Sequence, residues 1–173
     1  MQNIIETPRL IIRKFTKDDA HALKIILGDP EVMRYSLKGA LDEEGIREYL
    51  RTIILDHYEK HGFGLWAVVH KEDDQLIGYA GLICQTIDKE ECVELGYRLA
   101  TAYWGKGLAQ EAAAAIRDFV FTEMGLDRLI SIIDPCNVRS VRVAKKAGME
   151  RVKSTVFHGT DVDIYEIPNR KRL

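Results

Sequence analysis

The segment YWGKGLA, Tyr103–Ala109, combines residue types that suit the binding of an anion. It follows an alternating strand-like run and precedes an alanine-rich amphipathic segment, so a helix is predicted to begin here. The start of a helix leaves backbone N–H groups unpaired and carries the positive end of the helix dipole. Gly105 and Gly107 would let a phosphate reach the backbone without meeting a Cβ, and Lys106 adds positive charge. The segment is a candidate phosphate cradle.

The spacing of the glycines separates three kinds of phosphate site. A dinucleotide-binding fingerprint needs a third glycine where this chain has Gln110. A P-loop needs a glycine five residues before the Gly-Lys pair and Ser or Thr after it, but Ala100 and Gly107 hold those positions. A shorter cradle for a pyrophosphate remains. The alternative is that the glycines only shape a tight turn between a strand and a helix.

Asn137 and Ser140 lie one turn apart at the start of a second predicted helix, NVRSVRVAKKAG. In one interpretation Asn137 is a helix N-cap and Ser140 an ordinary first-turn residue. In the other, Asn137 offers a donor and an acceptor to an amide-bearing ligand, and Ser140 offers a hydroxyl.

His57 and His61 are four residues apart on a predicted helix, a spacing that can bind zinc. The HExxH motif is absent, because HYEKH has Tyr58 where the glutamate belongs. With no third ligand evident, we interpret the histidines as a pair on a helix surface and predict no metal site.

Composition excludes several functional classes. The 173 residues carry 25 basic and 27 acidic side chains, a net charge of −2, which argues against a general nucleic-acid binder. Three cysteines without a CxxC pair favour a reduced, cytoplasmic protein. No signal peptide is recognisable, and no apolar run approaches the roughly 20 residues needed to cross a bilayer. With no repeat or linker, residues 1–173 are predicted to form a single domain.

The elements that must position these residues alternate between strands and helices. RLIIRKF (Arg9–Phe15) is a predicted first strand, and Thr16 caps the helix that follows. A second helical region ends at Gly62 and turns four apolar residues inward: Ile46, Leu50, Ile53 and Ile54. Three strands follow, then helix, strand, helix and a closing hairpin. In the third of those strands, CVELGYRL, Glu94, Gly96 and Arg98 share the face opposite the apolar residues. The order predicts a mixed α/β domain.

Taken together, three segments resemble the GNAT superfamily of acetyl-CoA-dependent N-acetyltransferases, and within it the RimJ/RimL-like branch. They are ETPRLIIRKFTKDDA, ELGYRL followed by YWGKGLAQEA, and NVRSVRVAKKAGM, and they extend over essentially the whole chain. The resemblance implies an α+β mixed sheet of about seven strands, mostly antiparallel and twisted. Helices flank it, and its central strands splay apart at the cofactor slot.

By the same resemblance, acetyl-CoA is the expected co-substrate. Backbone amides from Gly105 to Ala109 would hold the pyrophosphate, although the family's Gln or Arg position is here Ala102. The backbone of Tyr97–Leu99 would pair with the pantetheine arm, which Asn137 would also bind. Basic residues of the last helix could meet the 3′-phosphate. The cofactor-binding residues implied are Tyr97, Arg98, Leu99, Trp104, Gly105, Lys106, Gly107, Leu108, Ala109, Asn137 and Ser140.

The resemblance also implies catalytic roles. Acetylation needs an uncharged amine, so a group must accept a proton, and Glu94 is the candidate, often acting through water. The alternative is a solvated glutamate or a partner of Arg98. Ser140 would lie near the thioester sulfur and protonate the leaving thiolate, unless it is an ordinary first-turn serine. A route through acetylated Cys136 is less favoured than direct transfer, because no histidine lies near it in the sequence.

The acceptor pocket of this architecture corresponds to residues 29–61 and 155–163. Aromatic and polar side chains there could contribute to it: Tyr35, Tyr58, Phe157, His158 and Asp161. The expected acceptor is a protein N-terminal amine or a small amine, and a homodimer is plausible for the family. Two other hypotheses stay open. One is a non-catalytic acyl-CoA sensor or assembly module, and the other is a flavin- or nucleotide-binding domain, which the failed fingerprint weakens.

Overall fold

The fold is one open sheet of eight strands with helices on both faces, in a computed structural model that describes residues 3–170. The spatial order of the strands is β1-β2-β3-β4-β5-β6-β8-β7. Their bounds are β1 Asn3–Glu6, β2 Leu10–Arg13, β3 Leu65–His70, β4 Gln75–Ile87, β5 Glu90–Leu99, β6 Arg128–Ile133, β7 Glu150–Phe157 and β8 Thr160–Pro168.

Neighbouring strands are antiparallel except β5 and β6, which are parallel. The longest pairing joins β4 and β5, from Gly78 opposite Leu99 to Ile87 opposite Glu90. The predicted mixed, mostly antiparallel sheet is confirmed. Parallel neighbours need a long crossover connection, and here it contains the helix that follows the glycines.

In the described part of the chain, five α-helices surround the sheet: α1 Lys24–Leu27, α2 Glu43–Tyr49, α3 Asp56–His61, α4 Leu108–Phe119 and α5 Val138–Lys146. A π-helical segment, Leu50–Leu55, joins α2 to α3, and a second, Val120–Met124, extends α4. Gly62 and Gly125 end these runs in the left-handed conformation, where glycine carries no Cβ penalty. None of the helices within residues 3–170 has the length and apolar character needed to span a membrane.

Alternate residues of β3 belong to two different hydrophobic clusters, one on each face of the sheet. Trp66 and Val68 pack with α4 and α5 residues such as Ile116 and Ala144. Ala67, on the opposite face, belongs to the cluster that includes Ile26 of α1 and neighbouring residues of the α2–α3 region. The sheet is therefore covered on both sides where its central strands lie.

Three details differ from the sequence-based expectations. The sheet has eight strands rather than about seven, because the short pair Ile4 and Ile5 in β1 gives too weak a pattern to signal a strand. The helix expected after Thr16 is divided into a 3₁₀ turn, Lys17–Ala20, and α1. Ile53 is 41% exposed rather than inward, because the π-helical segment adds a residue to its turn and shifts the phase of the apolar stripe.

Candidate active site

The parallel strands β5 and β6 separate close to Glu94. Their pairing register consists of Glu94 opposite Ile130, and within residues 3–170 it continues no further. Just beyond it, the hydroxyl of Ser131 donates a hydrogen bond of 2.7 Å to the carbonyl of Leu95. The two strands therefore enclose a wedge-shaped gap.

This gap is a cavity of about 700 Å³ that is lined from both faces of the sheet. Leu108 and Val143 line it from the α4 and α5 side, whereas Val32 and Tyr49 line it from the side of the early helices. It brings together all but one of the site residues predicted from the sequence: Glu94, Tyr97, Arg98, Leu99, Trp104, Gly105, Gly107, Leu108, Ala109, Asn137 and Ser140.

The glycine turn opens α4 at one part of this cavity. Gly105 and Gly107 have φ values of 75° and 77°, in the left-handed region that other residues rarely adopt. A Cβ at Gly105 would meet nothing within 4 Å, so backbone conformation rather than space requires glycine there. Among the residues the structure describes, no side chain caps the helix at Gly107. The first amides of α4 are consequently available to a ligand.

Lys106 is the predicted residue that does not line the cavity. Its ammonium nitrogen lies 5.2 Å from the centre of the Tyr103 ring, a cation–π arrangement. Its carbonyl accepts a hydrogen bond of 2.8 Å from the guanidinium of Arg9. In this conformation Lys106 contributes to the turn through its backbone.

Arg9 and Glu111 clamp the glycine turn to the strand region, a feature that sequence reasoning missed. The carboxylate of Glu111 accepts from the Thr7 hydroxyl at 2.6 Å, the Arg9 backbone N–H at 3.0 Å and the Arg9 Nε at 2.7 Å. Burial raises the pKa of Glu111, but these hydrogen bonds and the charge of Arg9 outweigh it and hold the pKa below its ordinary value. The clamp joins residues 102 positions apart, so no local pattern could have revealed it.

Glu94 is held by neutral groups rather than by an ion pair. The Gln85 amide donates to its Oε2 at 2.8 Å, and across residues 3–170 no basic side chain lies within 4 Å of its carboxylate. Burial raises the pKa of Glu94, while the hydrogen bonds from Gln85 and the Ile132 backbone and the charge of Arg98 act in the opposite direction. The net shift is upward, which is the direction that improves a carboxylate as a base near neutral pH.

Asn137 and Ser140 are coupled to each other and to Tyr97. The Oδ1 of Asn137 caps α5 by accepting from the Ser140 backbone N–H at 3.2 Å, which leaves its amide NH₂ as the available donor. The Ser140 hydroxyl donates to the Tyr97 hydroxyl at 3.2 Å, and the latter donates to the Ser140 carbonyl at 2.9 Å. Burial raises the pKa of Tyr97 to about 12, so this phenol stays protonated at neutral pH.

Basic side chains of α5 line the cavity beside the glycine turn: Arg139, Arg142 and Lys146. The Arg139 guanidinium lies 4.1 Å from the centre of the Trp104 ring and 3.5 Å from the carboxylate of Glu31. The Trp104 indole in turn donates to the carbonyl of Leu99 at 2.7 Å. Trp104 thus connects α5, the glycine turn and the end of β5.

The opposite part of the cavity differs from the expected acceptor pocket. Of the side chains suggested for it, Tyr35 lines the cavity and donates to the Cys136 carbonyl at 3.1 Å. Tyr58 does not, because its hydroxyl bridges the Leu65 carbonyl and the Phe15 N–H inside the fold. The residues of the last hairpin also lie outside it. Tyr49, within the expected range 29–61, lines it together with Tyr79, Ile83 and Gln85 of β4, which were not expected.

His57 and His61 are joined by a third candidate ligand, Cys84, with ligand atoms within 4.8 Å of one another. Both ring nitrogens of His57 are, however, engaged by the backbone. Its Nδ1 bonds the Phe63 carbonyl at 2.7 Å, and its Nε2 accepts from the Cys84 N–H at 3.2 Å. These two bonds fit a neutral ring with its proton on Nδ1, a residue that ties α3 to β4 rather than a metal ligand.

The cavity therefore contains two chemically distinct regions. The glycine turn and the basic face of α5 suit a phosphate-bearing ligand. The second region contains Glu94 of β5, a half-buried carboxylate with a raised pKa, on the part of the cavity that faces the early helices. A ligand held at the first region could present a reactive group to a base at the second.

Comparison with known proteins shows which family this chain belongs to. A family model described as an acetyltransferase (GNAT) domain matches residues 9–150. The uncharacterized N-acetyltransferase YnaD of Bacillus subtilis is 35% identical over 147 residues, which is 85% of this chain and 82% of that protein.

Two solved structures are similar along nearly their whole length. The acetyltransferase (GNAT family) from Bacillus anthracis is 30% identical, with a TM-score of 0.82 over 95% of this chain and 98% of that one. RimL, a ribosomal α-N-protein acetyltransferase in complex with coenzyme A, is 17% identical, with a TM-score of 0.79 over 96% and 98%. The similarity to RimL shows a shared fold.

Proposed function

The chain belongs to the GNAT family of acetyltransferases, and from that premise we propose that it moves the acetyl group of acetyl-CoA to a primary amine by direct attack in a ternary complex. One observation carries the proposal: a single cavity holds both a glycine-opened helix start and a half-buried carboxylate with no cationic partner within 4 Å among residues 3–170.

The residues of the cavity fit coenzyme A at both ends. The amides from Gly105 to Ala109 would bind the pyrophosphate, and the nearby cations of α5 suit a further phosphate. The gap between β5 and β6 offers the backbone of Tyr97–Leu99 to an extended chain, and the Asn137 amide NH₂ is a donor beside it. When bound, acetyl-CoA supplies a thioester that an uncharged amine can attack.

Glu94 is the proposed proton acceptor. Its carboxylate is desolvated enough to raise its pKa, yet two hydrogen bonds hold it in one orientation. A base whose pKa approaches the working pH removes a proton from an ammonium or an attacking amine more effectively than an ordinary glutamate. A water molecule would extend its reach to the nitrogen.

Ser140 is the proposed donor to the leaving thiolate. Its hydroxyl proton is directed to Tyr97, whose own proton is committed to the Ser140 carbonyl. Tyr97 therefore orients the serine hydroxyl and keeps it inside the cavity, and a small rotation would redirect that proton to a sulfur atom. Cys136 also lines the cavity, but no histidine ring contacts its thiol among the described residues.

The acceptor class and the branch of the family are finer proposals. The structural likeness to RimL supports a RimJ/RimL-like enzyme acting on a protein N-terminal amine or a small amine in the cytoplasm. The part of the cavity that Tyr35 and Tyr49 line is compatible with a protein N-terminal amine and with a small amine.

Thermal unfolding with acetyl-CoA, combined with a screen of amines and N-terminal peptides for thiol release, tests the function. A ligand at 100 times its Kd stabilises the folded state by about 2.7 kcal/mol, so a Tm rise of several degrees is expected. Gly107→Glu should abolish this rise by straining the turn and repelling phosphate. Gly159→Glu, at another left-handed glycine in the β7–β8 turn, where a Cβ would meet nothing within 4 Å, should retain it. No Tm rise in the parent chain, or no thiol release with any amine, would refute the proposal.

A further inference from the structure

Arg98 is a cation on the acceptor side of the cavity for which the proposed chemistry has no use. It lies on β5 on the same face as Glu94, lines the cavity, and is half-buried. Its guanidinium donates to the Met33 sulfur at 3.0 Å and interacts with the Tyr79 hydroxyl. Both partners are neutral.

Arg98 has no carboxylate in contact with it, although Glu94 on the same face of β5 interacts with its charge from farther away. A guanidinium stays protonated at any physiological pH, and a thioether is a weak acceptor. Within residues 3–170, no carboxylate comes within 4 Å of Arg98, whereas the comparably enclosed Arg13 pairs with Asp19 at 2.8 Å. Since a partly desolvated cation that contacts no carboxylate has room for one, a bound anion is a natural partner of Arg98.

The hydroxyls beside Arg98 add a second donor. The Tyr79 and Tyr49 oxygens are 3.3 Å apart, and both rings line the cavity. The Arg98 charge favours the Tyr79 oxygen as an acceptor, so the Tyr79 proton can go to Tyr49, whose own proton can then point at a ligand. A guanidinium and a phenol thus face the same space, and both are donors.

Gly96 lies between Glu94 and Arg98 on this face and leaves the floor of the cavity flat. Along a strand, four residues span about 13 Å, so the two charged side chains approach the space over Gly96 from opposite ends. A Cβ at Gly96 would touch only the tips of Ile83 and Leu65, at 3.8 and 3.9 Å. An acceptor can lie over Gly96 with its amine toward Glu94 and an anionic group toward Arg98.

We propose that Arg98, assisted by the Tyr49 hydroxyl, binds a carboxylate of the acceptor, so that the enzyme acts on primary amines that carry a carboxylate several bonds from the nitrogen. A carboxylate is favoured over other anions because the planar guanidinium matches its two oxygens. The inference rests on the proposed acetyl transfer and names its substrate class. Polycationic amines would be repelled by the same charge.

Paired acceptors test this inference without relying on a mutant. The panel contains ω-amino carboxylates of increasing chain length, an N-terminal peptide with an acidic second residue, and the uncharged carboxamide counterpart of each. For at least one pair, kcat/KM should be about tenfold or more higher for the carboxylate, mainly through KM. The free amino carboxylates and the peptide distinguish a small acceptor from a protein N-terminus.

Variants then connect the preference to Arg98. Arg98→Gln should lower carboxylate turnover more than carboxamide turnover and bring the ratio of the two close to one, and Arg98→Lys should restore part of the ratio. Arg47→Gln, an exposed arginine on α2 outside the cavity, should leave the ratio unchanged.

Equal turnover of both members of every pair, or an equal loss for both in Arg98→Gln, would overturn the inference while acetyl transfer stands. Absence of turnover with all acceptors would overturn the proposed function and the inference with it. If Arg98→Gln does not fold, the ratio measured with the parent enzyme still decides.

Discussion

Glu94 combines two properties that oppose each other: its environment favours the protonated acid, whereas its proposed role needs the carboxylate. The strand places it where water is partly excluded, and its hydrogen-bond partners are neutral. Because its pKa in the folded protein is raised, ionisation of Glu94 destabilises the fold. This cost is absent below the pKa of the unfolded chain, grows as the pH rises toward the folded pKa, and is fully present above it.

Glu94→Gln should therefore lower activity and raise stability together. We expect kcat/KM to fall by about 10²–10⁴-fold, the usual contribution of a general base, with the acetyl-CoA-induced Tm rise retained. At pH 7.5 the variant should unfold at a higher Tm than the parent chain, and the gain should vanish near pH 4.

Steady-state kinetics and thermal scans at the two pH values measure both effects. Glu91→Gln, an exposed glutamate on the same strand, is the matched control and should change neither. An unchanged turnover in Glu94→Gln would remove this residue from the chemistry.

At the residue scale, part of the site was accessible from the sequence. The alternation of β5 correctly separates Glu94, Gly96 and Arg98 from the apolar face. The hydrogen-bond partner of Glu94, Gln85, was not accessible from the sequence, because identifying it requires the register between β4 and β5. That register is set by a two-residue turn, Asp88 and Lys89, both with positive φ, and this pair lacks the glycine that usually announces such a turn. The catalytic and binding roles themselves remain predictions.

At the scale of elements, the glycine turn depends on a support that comes from the other end of the chain. Arg9 bonds both Glu111 in the first turn of α4 and the carbonyl of Lys106 in the turn itself. It lies 3.6 Å from the position that a Cβ of Gly107 would occupy. The amides that would bind phosphate are therefore held by a side chain that does not line the cavity.

Arg9→Gln should weaken acetyl-CoA binding and spare the chemical step. Loss of the clamp frees the turn, so ordering it on binding costs conformational entropy, and we expect Kd to rise by about tenfold. At saturating acetyl-CoA, kcat should stay within about twofold of the parent value. Isothermal titration measures the Kd for acetyl-CoA, and initial rates measure kcat.

Arg51→Gln serves as the comparison, because Arg51 is an exposed helical arginine whose partner is the nearby Glu48. Its Kd should match that of the parent chain. An Arg9→Gln variant with unaltered Kd would show that the turn holds its shape alone.

The elements themselves were predicted better than their contacts. The stops at Gly62 and Gly125 and the N-cap at Asn137 were expected, since local backbone requirements set them. The π-helical segments were not, because an i→i+5 turn has no pattern of its own in the sequence. The clamp between Arg9 and Glu111 depends on tertiary packing and leaves no periodic trace.

At the scale of the whole molecule, stability in acid depends on ion pairs that are partly enclosed. Asp19 accepts two hydrogen bonds from Arg13, at 2.8 and 2.9 Å, and also bonds the Thr16 backbone, so it fixes the chain where β2 ends. Burial raises the pKa of Asp19, but the hydrogen bonds from Arg13 and Thr16 outweigh this effect and hold it below its ordinary value. Its stabilisation is present above the pKa of the unfolded chain and is lost as the pH falls through the folded pKa.

Asp19→Asn should lower the free energy of unfolding by about 1.5–3 kcal/mol at pH 7, the range for hydrogen bonds to charged groups. The deficit should shrink as the pH falls below about 4, because the parent chain then loses the same charge. Denaturant titrations at several pH values measure it. Asp18→Asn, at the exposed neighbour, should change little, and a deficit for Asp19→Asn that persists unchanged into acid would contradict the assigned cause.

The mixed α/β class and the mostly antiparallel order were predicted for the whole chain and are confirmed. The α/β class follows from the alternation of strand and helix patterns, whereas the mostly antiparallel order was implied by the family resemblance. The eighth strand, and the presence in the cavity wall of Tyr79 in place of the last hairpin, depend on how distant segments pack.

The wedge between β5 and β6 passes from one face of the sheet to the other, and this has a kinetic consequence. In the proposed reaction, acetyl-CoA would enter from the side of α4 and α5 and the amine from the side of the early helices. Neither substrate would then block the release of the other. We therefore expect the two substrates of the proposed reaction to bind in either order and to meet beside Glu94.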